Sequence, residues 1–335
     1  MIAVHVCAQL FYLIPEFVML QYFSSLDPIT LLKSFPGSIA QGMVWGVMAL
    51  GVYITFRLLD FADLTVDGSI AFGAATCVML IRSGVHPVFA TFFAFFAGLI
   101  AGIVTGLLTT LLGIPGILSS ILTQISLYSI NLHVMGQSNR PVSVDNYPLV
   151  VSLRYVTGSA ATSLIFFAGM LIFLVMLICA LYWFFGTETG SAIRATGCNA
   201  QMARAQGINT GYIKVLTLGI SNGLVGLSGA LYAQFGGAAD INMGRGAIVI
   251  GLAAVIIGEV IFGKFVSKRR AAFAWTMGAV VFGSVIYYMV YQLVLWLKFP
   301  SEDMKLLTAV VVAFFLAIPY LREKKSSAKG VKSGE

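Results

Sequence analysis

The sequence predicts an all-α, polytopic membrane bundle, and three observations carry that prediction. Hydrophobic residues fill 59% of the 335 positions and charged residues only 10%, whereas a soluble domain carries about 25% charge. Mean hydropathy is +0.94. The apolar residues are also gathered into runs of the length that a hydrocarbon core of about 30 Å demands, about 20 helical residues at 1.5 Å each. These runs fall at approximately 37–57, 69–83, 88–111, 117–136, 161–185, 212–234, 246–263, 271–297 and 304–321, giving 8–10 membrane helices in one bundle.

The chain divides into three parts. Residues 1–36 form an N-terminal apolar segment that holds His5, Gln9, Pro15 and Glu16. No basic residue precedes it to mark a signal peptide, so it reads as an extra membrane or interfacial helix. Residues 37–321 are the transmembrane domain, and 322–335 a basic tail. The net charge of +7 is concentrated at Lys264, Lys268, Arg269 and Arg270, at Arg194, Arg204 and Lys214, and in the tail. This pattern is a topology signal and no nucleic-acid patch: the positive-inside rule puts all three clusters, and the C-terminus, in the cytoplasm. The longest outer loop is then about 137–160, where a partner or lid can dock. Cys7, Cys77, Cys179 and Cys198 are scattered, which suggests buried thiols and neither a disulfide framework nor a metal pair.

One stretch breaks the apolar pattern. Residues 186–214, GTETGSAIRATGCNAQMARAQGINTGYIK, form a polar island between two membrane-length runs. Such a loop presents a surface to an aqueous partner, because an ordinary turn between helices needs only about 2–8 residues. Within it, Asn199 is a good N-cap, Ala200 to Gln206 a short helix, and Gly207 suits the left-handed position that ends one.

Other polar groups fall at the membrane segments. The block DFADLTVDGSIAFG, residues 60–73, places Asp63, Thr65, Asp67 and Ser69 at the start of an apolar run, where carboxylates must be hydrated or paired. Asp63-Leu64-Thr65-Val66 aligns with Asp240-Ile241-Asn242-Met243, about 177 residues later, ahead of a second Gly-rich run. The predicted topology sends the two runs across in opposite directions, as in a transporter built of inverted repeats. Ser120, Gln124, Tyr128 and Asn131, at spacings of four, four and three, lie on one helical face that must meet protein, water or substrate. Glu259 is expected to pair with Lys264 or Arg269, and Tyr287, Tyr288 and Tyr291 to serve packing or the interface.

Gly98, Gly102 and Gly106 recur every four residues, as in a close-packing seam, and Pro115-Gly116 interrupts the chain after it. Together with the island's G-x-A-I-R-A-T-G-x-N-x-x-x-A-R-x-x-G-I-N, these features resemble the membrane subunit of an ABC importer of the branched-chain amino acid and ribose permease family, over roughly residues 38 to 320. The resemblance implies that the island carries a coupling helix for a separate ATPase, through Arg194, Ala195, Gly197, Asn199, Ala203, Arg204, Gly207 and Ile208. It also implies an interrupted helix lining the path near Asp63. The implied partners are a pair of ATPase subunits that bind the ATP, a second permease copy or similar chain, and an external solute-binding protein; the implied location is a bacterial inner membrane. The blocks DFADLTVDGS and NMGRGAIVIGLAAVIIGE resemble a subgroup associated with tryptophan or tyrosine uptake, so the expected cargo is an amino acid, with a sugar or nucleoside as the alternative.

Two rival readings stand beside this one. An ion-coupled secondary transporter suits inverted repeats and places its coupling on Asp63, Asp67 and Asp240, but it leaves the island without a task. An intramembrane protease is suggested by Gly226-Leu227-Ser228-Gly229, which resembles the rhomboid serine motif, yet His5, His86 and His133 all lie upstream of it. The sequence holds no G-x-x-x-x-G-K-[ST] and implies no cofactor of its own.

Overall fold

The computed structural model describes residues 28–266 and 272–297, together with Leu306, Ala309, Val310, Ala313 and Ala317. The expectations for the N-terminal apolar segment up to residue 27, for Lys268, Arg269 and Arg270, for most of the 304–321 run and for the tail lie outside the described residues.

Long helices dominate. α1 runs Pro28–Tyr53 and continues into a π-helical turn, Ile54–Leu58. It is followed by α2 (Val66–Arg82), α3 (Pro87–Thr110), α4 (Gly116–Met135), the five-residue α5 (Leu153–Thr157) and α6 (Ala160–Phe185). The island forms α7 (Glu188–Cys198) and α8 (Ala200–Ala205), and then come α9 (Thr210–Gly236), α10 (Ala247–Val266) and α11 (Ala272–Trp296). Among the described residues six helices are long and apolar enough to cross a membrane. α2, at 17 residues, covers only about 25 Å and is one of the shorter pieces.

The packing is that of two interlocked halves. α9 lies against α2 and α3 of the first half, while α1 lies against α10 and α11 of the second, and α1 and α9 touch each other between them. Each half lends its first helix to the other. The glycine seam makes one of these exchanges possible: a Cβ on Gly98 would sit 2.1 Å from the Asn222 carbonyl oxygen, and one on Gly102 2.1 Å from that of Leu218. Backbone meets backbone where any side chain would hold the helices apart. On the other side, Ser284 on α11 donates to the Gly42 carbonyl on α1 at 2.6 Å, and Ser221 and Ser228 on α9 donate to Gly51 and Val44 of α1 at 2.8 and 2.9 Å. Ser228 is thus fully buried and spent on helix packing.

α6 stands at the periphery. Its buried residues, Phe166, Met170, Leu174, Leu181 and Phe185, form one stripe along the helix, while Leu164, Ile165, Leu171, Ile172, Val175, Met176 and Trp183 are exposed. An apolar helix exposed on most of its surface is one whose solvent is lipid. At the end of the bundle opposite the island, two three-residue strands, β1 (Asn139–Pro141) and β2 (Ala238–Asp240), pair antiparallel with Asn139 facing Asp240 and tie the 136–152 loop to the second half.

Two local expectations change, and a third narrows. Glu259 pairs with Arg57 at 3.0 Å, because the π-helical turn of α1 carries Arg57 alongside α10. Cys77 is buried, but Cys179 and Cys198 are exposed, on the outer face of α6 and on the island. Tyr287 and Tyr288 are buried against Trp45, Tyr232 and Tyr291 and so serve packing.

Candidate coupling surface and translocation site

The island is an ordered pair of short helices. Thr187 caps α7, its hydroxyl accepting from Gly190 N, and Arg194 donates to the Phe185 carbonyl at 3.1 Å, with its guanidinium 5.8 Å from the Phe273 ring. Gly197 sits where a Cβ would lie 1.9 Å from the Leu58 carbonyl, so the end of α7 is pressed onto the π-helical turn of α1. Asn199 then caps α8, its Oδ1 accepting from Gln201 N and Met202 N at 3.0 Å each. Gly207 takes the left-handed conformation at φ +82°, and Ile208 N closes the end onto the Ala203 carbonyl at 3.0 Å. Arg204 bonds the Thr210 hydroxyl at 2.7 Å, and Asn209 caps α9.

The eight residues predicted for this region divide into two sets. Ala203 is buried and Gly197 and Ile208 are half-buried, forming the seat, while Arg194, Ala195, Asn199, Arg204 and Gly207 are exposed. Two features escaped the sequence reading. α7 as a whole was one, and the other is Met202, which stands 64% exposed on the free face of α8. An apolar side chain displayed on an otherwise polar knob was the available signal.

A second constellation lies where α2 and α10 begin. Asp63 is buried and accepts from Thr65 N at 2.9 Å and from the Asn222 amide at 2.6 Å; Asn222 Oδ1 in turn accepts from Ser69 at 2.7 Å. Thr65, Thr105 and Thr123 form a hydroxyl chain at 2.8 and 2.9 Å across α2, α3 and α4. Asp67 reaches over to the start of α10, accepting from Gly246 N and Ile248 N at 3.0 Å each. It thereby caps a helix start that would otherwise leave its N–H groups unsatisfied. In the second half, Asp240 accepts from Asn242 N at 2.7 Å and from the Asn139 amide at 3.2 Å. Asp63 and Asp240 therefore make the same turn, each bonding the N–H two residues on.

A cavity of about 340 Å³ opens beside this junction, lined by Asp67, Gly68, Gln124, Tyr128, Asn131 and Arg245 among others. Four predicted residues, Asp67, Gln124, Tyr128 and Asn131, meet there. Asp63, Thr65 and Ser69 lie buried behind it, while Asp240 and the exposed Asn242 belong to the strand-bearing end. Ser120 is buried and bonded to the Ile117 carbonyl. Arg245 was not foreseen, because a single cation in a Gly-rich loop reads as solvated surface. Both carboxylate oxygens of Asp63, Asp67 and Asp240 are already accepting bonds from the protein, an arrangement suited to fixing backbone turns.

Comparison with known proteins follows the same lines. Residues 35–319 match the family described as branched-chain amino acid transport system / permease component. The chain is 39% identical over 291 residues to a tyrosine transport system permease protein of Clostridioides difficile (strain R20291), covering 86% of this chain and 93% of that one. It is 30% identical over 280 residues to an uncharacterized protein of Rickettsia prowazekii (strain Madrid E), covering 84% and 95%. No solved structure gives a significant match.

Proposed function

Since this chain belongs to the family of branched-chain amino acid transport permease components, we propose that it forms the translocation path of an ABC importer for an amino acid of the aromatic class. The observation that carries the ATP-driven reading is the island. It is held by Gly197 against the end of α1 and by Arg204 against the start of α9, so a push on α8 is delivered to the two helices that the halves exchange. The aromatic cargo rests on the 39% identity to the tyrosine system permease. The sugar or nucleoside alternative has no comparable support.

In this reading the island lies in the cytoplasm with the basic tail, in a bacterial inner membrane, and a pair of ATPase subunits closes on ATP and drives the coupling surface. Met202 and the exposed Arg194, Ala195, Asn199, Arg204 and Gly207 meet the ATPase, while Ala203, Gly197 and Ile208 seat the knob. Two permease copies, or this chain and a similar one, flank the path, and an external binding protein delivers solute to the opposite face. The path passes Asp67, Gln124, Tyr128 and Asn131, framed by Asp63, Thr65 and Ser69, with Asp240 and Asn242 towards its outer entry. Closure of the ATPase pair then biases the dimer between outward and inward access.

The test is co-purification. A Met202→Asp variant should insert normally yet lose its ATPase subunits and its ATP-driven uptake of L-tyrosine. Full association and uptake in that variant would remove the assignment of α8 as the contact.

A further inference from the structure

Within the cavity beside the α2–α10 junction, two polar groups point to a ligand: a buried acceptor and a cation. Asn131 is 1% exposed, and its amide nitrogen lies 3.5 Å from the Gly68 carbonyl, which only a donor can satisfy. That orientation leaves Oδ1 as the free end, and among the described residues it has no hydrogen-bond partner. A buried carbonyl oxygen without a donor costs about 1–3 kcal/mol and calls for an explanation at the site where it occurs. The second group is Arg245. It lines the same cavity, and its guanidinium makes no hydrogen bond or ion pair among the described residues. Asp67, the carboxylate lining the cavity, forms no ion pair with it, and both Asp67 oxygens accept from the start of α10.

A lone acceptor and a lone cation on one small cavity are complementary to a molecule that carries a donor cation and an anion. Resting on the reading of this chain as an amino-acid permease, we propose that the cavity is a transit site for the zwitterionic head of the amino acid, whose ammonium donates to Asn131 Oδ1 and whose carboxylate is held by Arg245. The guanidinium fork suits a carboxylate because two N–H donors can meet two oxygens at once. A neutral sugar or nucleoside would leave Arg245 unmatched. The volume, about 340 Å³, lies at the small end of ligand pockets. The half-helix start at α2 and the loop before α10 come together here, the arrangement in which transporters place substrate. Gln124, Tyr128 and Ser129 supply further polar lining, towards the amino acid's side chain.

The proposal is tested by ATP-driven uptake of radiolabelled L-tyrosine into proteoliposomes that contain the permease, its ATPase and its binding protein. Arg245→Gln should lower the uptake rate by at least about tenfold, the loss of one charge-assisted contact. Arg245→Lys, which keeps the charge, should retain a substantial part. Asn131→Leu should also lose uptake, and because Arg245 is exposed and has no bonding partner among the described residues, the Gln variant still decides the matter if the Leu variant fails to fold. Wild-type uptake by Arg245→Gln, in a complex whose unaltered form transports tyrosine, overturns the transit site and leaves the permease reading intact. A wild-type complex that transports ribose or a nucleoside but no amino acid overturns the cargo and the transit site together.

Discussion

The turns at Asp63 and Asp240 begin alike and end differently. Each aspartate bonds the N–H two residues on, and each precedes a short Gly-rich helix. The first turn is buried in a closed network of Asn222, Ser69 and the threonine chain. The second lies near the surface, bonded to Asn139 across a two-strand pairing, and leads to an exposed Asn242 and Arg245. Four residues after each aspartate, the first copy has Asp67 at the place where the second has Gly244, and these two positions touch: a Cβ on Gly244 would lie 1.9 Å from the Asp67 carbonyl oxygen. One copy is the buried frame and the other the more exposed side of the same junction. Two segments can keep one backbone turn while one is buried in a closed hydrogen-bond network and the other stays near the surface.

Substitutions break this comparison in a graded order. Asp63→Ala is expected to do the most damage, since it strands Thr65 N and the Asn222 amide in a dry interior at about 1–3 kcal/mol for each group; thermal unfolding of the purified complex in detergent should show a sharply lowered midpoint or no folded protein. Asp67→Ala comes next, because Gly246 N and Ile248 N lose their acceptor at a half-buried position. In the second copy, Asp240→Ala loses two bonds near water, each at only about 0.5–1.5 kcal/mol, the range of an ordinary net hydrogen bond. Equal losses at Asp63 and Asp240 would abolish the distinction between buried frame and exposed side. The smallest effect belongs to Ser228→Ala, which removes one packing bond to Val44 for about 1 kcal/mol. Uptake should persist in that variant, and its loss without unfolding would revive a chemical role for the serine.

How far the sequence reveals this molecule depends on the range of the interaction concerned. Asn199 and Gly207 bracket α8 through bonds that span two or three residues, so their residue types predicted the helix directly. The Gly98–Gly106 seam was legible because spacing along one helix predicts its face, although the partner helix, α9, was not. α7 was missed for the opposite reason. GSAIRATG has little intrinsic preference for helix, and its place is set by Gly190 packed on Phe185 and Gly197 packed on Leu58. Glu259 was assigned to basic residues nearby in the chain, whereas its partner Arg57 is 202 residues away and arrives on the helix that the halves exchange. Of the junction, the carboxylates and the Asp63–Asp240 correspondence could be read, but the cavity could not, since it forms only where α2, α4 and the loop before α10 converge.

The central claim, that this permease is driven through its island by a separate ATPase, is tested most directly by solute uptake under two energy sources. Proteoliposomes holding the chain, its ATPase and its binding protein should accumulate L-tyrosine when ATP is supplied on the ATPase side, and should not when a proton or sodium gradient is imposed without ATP. Ion-driven accumulation by the purified chain alone would contradict the account.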